Sequence, residues 1–288
     1  MDYRDPWTFP SHIDVNQQTT YQHQVEVFIE KQCLKHASAV VVVSPTWLEQ
    51  IARQFRKICS RTKFYLILNG HDLDEAWIDG QIGQVARAVP SGKIRIHFNG
   101  LLASGSNLLD LLLKALNDFP STHLMKEHIS LSFCGIPDTF QDRVQDCIDS
   151  GALVNLGALS HQDSLKASLS SDALLLTMSS ESQFLGAIPG KMYEAIALGK
   201  PILAIVPEQS DVRHLLADYP NVIFAKSDDP ESVSVAFHNL WDQFCKNGGY
   251  LSKLTTQDRH EFSRRHLRRE RSSEFLDLVN KVSQDNDG

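Results

Sequence analysis

The chain holds 288 residues, 42% of them hydrophobic and 22% charged, enough for one large or two ordinary soluble domains. A net charge of −7 and a pI near 5.9 exclude a protein that coats nucleic acid by charge alone. No apolar run reaches the roughly 20 residues that cross a bilayer, nothing at the N-terminus reads as a secretory signal, and the five cysteines include no Cys-x-x-Cys pair, which excludes a thiolate zinc site. The expected class is a soluble, cytoplasmic α/β protein with reduced thiols.

In chain order, the first feature is Asp2-Tyr3-Arg4-Asp5-Pro6-Trp7-Thr8, which crowds two carboxylates, an arginine and a tryptophan together. Its plainest reading is a turn with an Asp–Arg pair. A helical pattern from about Thr20 to Lys35 precedes the run Val40–Val43, and another from about Pro45 to Phe55 precedes Phe64–Leu68. Both runs read as buried parallel strands. Asn69-Gly70 breaks the pattern, and Leu73 to Gly92, with Gly80, Gly83 and Pro90, has no strong period and reads as a linker.

Beyond the linker the alternation is regular. Strands are predicted at Ile94–Phe98, Ile129–Cys134, Leu153–Leu156, Ala173–Thr177, Ile202–Val206 and Val222–Ala225. Helices are predicted between them at Asn107–Asn117, Phe140–Ser150, His161–Leu169, Lys191–Leu198 and Asp211–Ala217. Ser160 with Asp163 forms a capping box, and Asp229-Pro230 starts a further helix striped by Val233, Phe237, Leu240, Trp241 and Phe244. Six strands with intervening helices imply a doubly wound, Rossmann-like parallel sheet, whose ligands sit beyond the carboxyl ends of the strands. Gly100, Gly135 and Gly157 follow successive strands, where a ligand can approach the backbone closely, although each alone is also an ordinary turn residue.

The most informative string is Ile188-Pro189-Gly190-Lys191-Met192-Tyr193-Glu194-Ala195-Ile196-Ala197-Leu198-Gly199-Lys200-Pro201. Pro-Gly opens a helix whose free N–H groups and positive dipole end make an anion site. Lys191 in the first turn is placed to meet a phosphate or a sugar hydroxyl, and Glu194 one turn on can accept from vicinal hydroxyls. The alternative from the residues alone is a plain strand–turn–helix unit with both side chains solvated.

The opening motif resembles the D-x-R-D-P-W segment of one bacterial branch of the family 4 glycosyltransferases, two-lobed enzymes of the GT-B fold. The second string resembles the family segment whose glutamate holds the nucleotide ribose. The resemblance runs from Asp2 to about Val282 and implies four regions: residues 1–72 from the N-terminal acceptor lobe, an inter-lobe linker 73–92, a nucleotide-sugar donor lobe 93–250, and a helix 251–288 crossing back to the first lobe. A full member has roughly another hundred residues ahead of D-x-R-D, so a truncated chain with little transfer activity of its own is expected. The implied reaction is retaining transfer from a nucleotide diphosphate sugar to a glycan or lipid-linked saccharide in surface polysaccharide synthesis, with no cofactor and no metal. Glu194 would hold ribose, Lys191 and the Gly190 turn the diphosphate, Gly100 and Gly135 would line the donor cleft, and Arg4 or Asp5, the candidate catalytic residues, would face the acceptor.

Two departures stand out. The family's donor-sugar glutamate, eight residues before Glu194, is Gly186 here, and Glu181 in the same loop is displaced from it by five. The basic residues that usually follow the first donor-lobe strand are missing from Gly100–Asn107, leaving Ser104, Ser106 and the Asn107 helix start as diphosphate contacts. These losses favour a rival reading, a non-catalytic nucleotide-binding or assembly module; a sugar-nucleotide epimerase is a third. Twelve histidines show no ligand pair such as H-x3-H. The run Arg264–Arg271, interleaved with glutamates and followed by Phe275, Leu278, Val279 and Val282, reads as a solvated helix face, with peripheral membrane contact as the alternative.

Overall fold

The structure, a computed structural model, describes residues 1–5, 7–8, 20–55, 63–84, 92–102, 108–117, 127–181 and 184–286. It begins with β1 (Asp2–Tyr3), α1 (Thr20–His36), β2 (Ala39–Val42), α2 (Pro45–Gln54), β3 (Lys63–Leu66) and α3 (Glu75–Gln84). The three strands pair in parallel in the order β1-β2-β3. Valine at three successive positions suits β2, which is central and buried on both faces. Its side chains pack with Tyr3, Leu34, Trp47, Ile51 and Phe55 into a small core.

The larger unit comprises β4 (Ile94–Leu101), α4 (Leu108–Asn117), β5 (Ile129–Gly135), α5 (Gln141–Asp149), β6 (Leu153–Asn155), α6 (His161–Ser170), β7 (Ala173–Thr177), α7 (Gly190–Leu198), β8 (Ile202–Val206), α8 (Asp211–Leu216), β9 (Val222–Lys226) and α9 (Pro230–Lys246). Its strands run in parallel in the order β6-β5-β4-β7-β8-β9. The order reverses at β4, which opens a crevice between the carboxyl ends of β4 and β7. Strand pleating divides the core: along β8, Leu203 and Ile205 face one apolar cluster with α9's Phe237, while Ile202, Ala204 and Val206 face another with α7's Met192 and Ile196. Every predicted strand of this unit is present, with ends shifted by at most three residues.

The helix starts follow the expected chemistry. Ser160 accepts from the N–H of Asp163, and Asp229 accepts from those of Glu231 and Ser232. α7 ends at Gly199 with φ 67°, and a Cβ there would also fall 2.7 Å from the Arg259 side chain. Two expectations change. The 73–92 segment carries the helix α3, because Asp74 accepts from the N–H of Trp77, Ile78 is fully buried in the second cluster, and Asp79 receives Arg259 at 2.5 Å and His260 at 3.1 Å. That support is tertiary, so it outweighs the weak local period with its two glycines. The terminal segment is two helices, α10 (Thr256–Arg264) and α11 (Arg268–Asn286), separated at Leu267 by a bridge to His71.

Lys200, the lysine before β8, is buried and donates to the carbonyls of Leu169 at 2.5 Å and Ser171 at 2.7 Å. Burial pulls its pKa down to about 7, reinforced by nearby Lys253. An unfolded lysine titrates near 10.4, so between about pH 7 and 10 the unfolded chain binds more protons and stability rises with pH, by at most about 1.4 kcal/mol per unit for one proton. Urea unfolding of the wild type and Lys200→Met at pH 7, 8 and 9 checks this. The variant is expected to lose that upward slope whatever its absolute stability; parallel slopes would contradict it.

Candidate functional site

The crevice is built around the N-terminus of α7. Pro189 precedes it in an extended conformation, and among the described residues no side chain caps it. Its first-turn N–H groups therefore have no side-chain acceptor, and the helix dipole adds a positive end. Two cavities adjoin this point. One, of ≈ 520 Å³, is lined by Pro189 together with Arg4, Asp5, Asn69 and Thr177. The other, of ≈ 460 Å³, is lined by Gly190 and Glu194 with Trp77, His161, Asp72 and Arg268.

Glu194 is half-buried. His161 Nε2 lies 2.9 Å from its Oε1, and Asn99 Nδ2 lies 3.3 Å from Oε2. A carboxylate has about four acceptor positions, so two remain for a ligand. Asn99 reaches it because the β4–β5 pairing slips between Phe98 and Leu101, turning Asn99 and Gly100 out of the regular ladder. Asn99 Oδ1 in turn accepts from Ser164 at 2.6 Å. Below lie Cys134, 3.4 Å from Ser164, and His97, whose ring is held neutral by burial with its pKa pushed down to about 4. The carboxylate thus rests on a polar stack inside the sheet, which fixes its rotamer.

Lys191 lies over the Phe98 ring, its ammonium 5.1 Å from the centroid. Desolvation lowers its pKa, with Cys134 and Glu194 acting in the opposite direction. Gly100 makes room for it: a Cβ there would sit 2.3 Å from the lysine nitrogen. The structure therefore brings Gly100, Lys191, Gly190 and Glu194 together, with Arg4 and Asp5 across the first cavity. Gly100 and Lys191 stand beside the two cavities without lining either, and Gly135 and Glu181 line neither. At Gly135 the side chain of Leu101 occupies the space above the backbone, 2.3 Å from where a Cβ would stand. Ser104, Ser106 and Asn107 lie outside the described residues. Among the described residues no three His, Cys, Asp or Glu side chains group as a metal site, and no helix is long and apolar enough to cross a membrane.

Several contributing residues carry no local signal in the sequence. Glu30 of α1 is fully buried and accepts from the hydroxyls of Tyr3 and Thr8, which anchors the Asp2–Thr8 turn; Trp7 N–H donates to Tyr3 Oη at 3.1 Å. Burial and this carboxylate raise the Tyr3 pKa far above that of a free phenol. Asp211, the first residue of α8, accepts from Ser44 Oγ at 2.7 Å, Thr46 N at 3.0 Å and Thr46 Oγ1 at 2.8 Å, joining the small unit to the large one. Trp47 packs against Gly186, where a Cβ would lie 2.5 Å from the indole. Only glycine fits there, so the position of the missing glutamate is filled by an aromatic ring.

No protein-family model and no curated protein sequence matches the chain. Solved structures do. Sucrose-phosphate synthase from Thermosynechococcus elongatus aligns over 96% of this chain and 65% of its own, with TM-score 0.63 and 13% identity. Anabaena HepE in complex with UDP aligns over 97% and 72%, with TM-score 0.62 and 14% identity. The pneumococcal O-GlcNAc transferase GtfA, in complex with UDP and GlcNAc, aligns over 88% and 47%, with TM-score 0.58 and 13% identity. The chain thus spans just under two thirds of the first and about half of the third. At these identities the likeness is one of fold: a GT-B type α/β architecture, with one six-stranded and one three-stranded parallel sheet.

Because Asp211 is a buried carboxylate with three donors from the other unit, Asp211→Ala is expected to cost roughly 2–4 kcal/mol, the cost of losing hydrogen bonds to a charged group and stranding their donors. Asp211→Asn should recover part of it. Denaturant midpoints measure both, and a loss below about 0.5 kcal/mol in the alanine variant would remove Asp211 as the joint.

Proposed function

We propose that this cleft binds a nucleotide diphosphate sugar and serves retaining glycosyl transfer to a hydroxyl of a glycan or lipid-linked saccharide, in surface polysaccharide synthesis on the cytoplasmic face of a membrane. The observation that carries the proposal is the end of α7. An uncapped helix N-terminus adjoins two cavities at the strand-order reversal, with a glutamate one turn further lining the second and a first-turn lysine held beside it over Phe98. A nucleotide diphosphate sugar has the matching layout, with an anion between a nucleoside and a sugar. UDP bound to HepE and to GtfA supports the same ligand class.

On this reading Glu194 accepts from the ribose hydroxyls, Gly190 N–H and Lys191 meet the diphosphate, and Arg4 and Asp5 face the acceptor. The bond from the anomeric carbon to the phosphate oxygen breaks, the acceptor oxygen bonds to the same face, and the acceptor proton leaves with the diphosphate. The helix end and Lys191 stabilise the departing charge without a covalent nucleophile. The reaction so written needs neither metal nor cofactor. A second reading, a nucleotide-binding module without turnover, is favoured by the absence of any Arg or Lys from Gly100 to Asn107 and by Trp47 filling the place beside Gly186.

Calorimetry against UDP-, GDP-, ADP- and dTDP-sugars tests the donor site, and absence of binding to all of them at millimolar concentration rejects it. Glu194→Ala is expected to weaken nucleotide binding by about 1.5–3 kcal/mol, and a 2′,3′-dideoxyribose analogue should bind both forms alike. Lys191→Ala should weaken nucleoside diphosphates more than nucleosides. Release of nucleoside diphosphate that rises when acceptor glycans are added selects transfer over the binding module.

A further inference from the structure

The sugar end of the donor can be read from the walls of the ≈ 520 Å³ cavity, given the nucleotide-sugar reading above. With the diphosphate at the α7 N-terminus, the two ends of the ligand have two cavities to enter. The one containing Glu194 and His161 offers acceptors suited to ribose hydroxyls. The other begins at Pro189 and is walled by Val43, Trp47, Met178, Phe184, Ala187 and Ile188, its polar groups being Arg4, Asp5, Asn69, Thr177 and Ser179. Asp5 is its single carboxylate, and it is an exposed residue just after β1. Gly186, in the same loop, cannot carry an acceptor because the Trp47 indole lies against it.

A fully hydroxylated hexose buried against such a wall would leave hydroxyls without partners, whereas a methyl group would be favourably desolvated there. We propose that the transferred sugar bears a methyl group, as a 6-deoxy or a 2-acetamido sugar, and that Trp47 and Phe184 form the surface that selects it. Asn69, Thr177 and Ser179 then serve the hydroxyl edge, while Arg4 and Asp5 remain on the acceptor side.

Donors that share a base and differ at one position separate the two sources of methyl: dTDP-6-deoxyglucose against dTDP-glucose, and UDP-N-acetylglucosamine against UDP-glucose. Dissociation constants are measured by calorimetry for the wild type, Phe184→Ser and Trp47→Phe, with UDP and dTDP as sugar-free controls. In at least one pair the methyl-bearing donor is expected to bind about tenfold tighter or more, the usual worth of a methyl-sized group in an apolar pocket. Phe184→Ser should lose that preference while binding the free nucleotide as before, which also shows that the variant is folded. Trp47→Phe should reduce it. Nucleotide binding with equal affinity in both pairs, or a preference that survives in Phe184→Ser, overturns the sugar assignment alone. Failure of every nucleotide to bind overturns both it and the donor site.

Discussion

The reversal of strand order at β4 is the constraint on which the site depends. Strands on either side of β4 carry their crossovers to opposite faces, so no helix can cover the gap between the carboxyl ends of β4 and β7. The gap is therefore open to solvent while everything beneath it is packed. α7 starts at its edge, and its position is held from the far end, where Gly199 turns the chain and the Arg259 stem lies against the turn. Arg259 donates to Ala197 O at 3.2 Å and to Asp79, so one buried guanidinium ties α7, α3 and α10 together. The free helix end faces the crevice because the capped end is fixed.

Buried charges recur at the joints of this chain and not inside either apolar core. Asp211 joins the two sheet units, Arg259 the crossover helices, Glu30 the opening turn, and Lys200 the start of β8 to the C-terminal end of α6. Each is costly to desolvate, and its return is geometric, since a charge with two or three directed partners tolerates few alternative arrangements. Apolar contact alone would let the two units slide. With Arg4 and Asp5 on one unit and Glu194 and Lys191 on the other, such sliding would blur the site.

Much of this was legible from residue pattern. β-branched runs marked the strands, and Ser160, Asp229 and Pro189-Gly190 marked helix starts, because each is a local rule of backbone chemistry. What escaped is nonlocal. α3 has glycines and a weak period, and exists because Asp79 and Ile78 meet partners far along the chain. Glu30, Asp211 and Trp47 look like ordinary helix residues; their roles come from what the fold brings to them. Asn99 stood beside a glycine at a strand end, a visible sign of irregular pairing, yet its bond to Glu194 depends on register. Gly100 and Gly135 carried the same signal and serve different ends: one gives Lys191 its place, the other accommodates Leu101.

The clasp between Gly70 and the segment entering α11 bears on how the chain is assembled. His71 and Leu267 bridge in parallel, Arg268 reaches Asp72, and Gly70 lies so close to the His266 carbonyl that a Cβ would fall 2.4 Å from it. Residues 196 apart in sequence are thereby held together. Closing so long a loop costs chain entropy before any contact repays it. During synthesis the strands of the small sheet leave the ribosome about two hundred residues before their clasp partner, so they must wait, partly uncovered, until the start of α11 has emerged. Chaperone demand during translation is thus expected to fall on the small three-stranded sheet, although the larger sheet contains most of the apolar core.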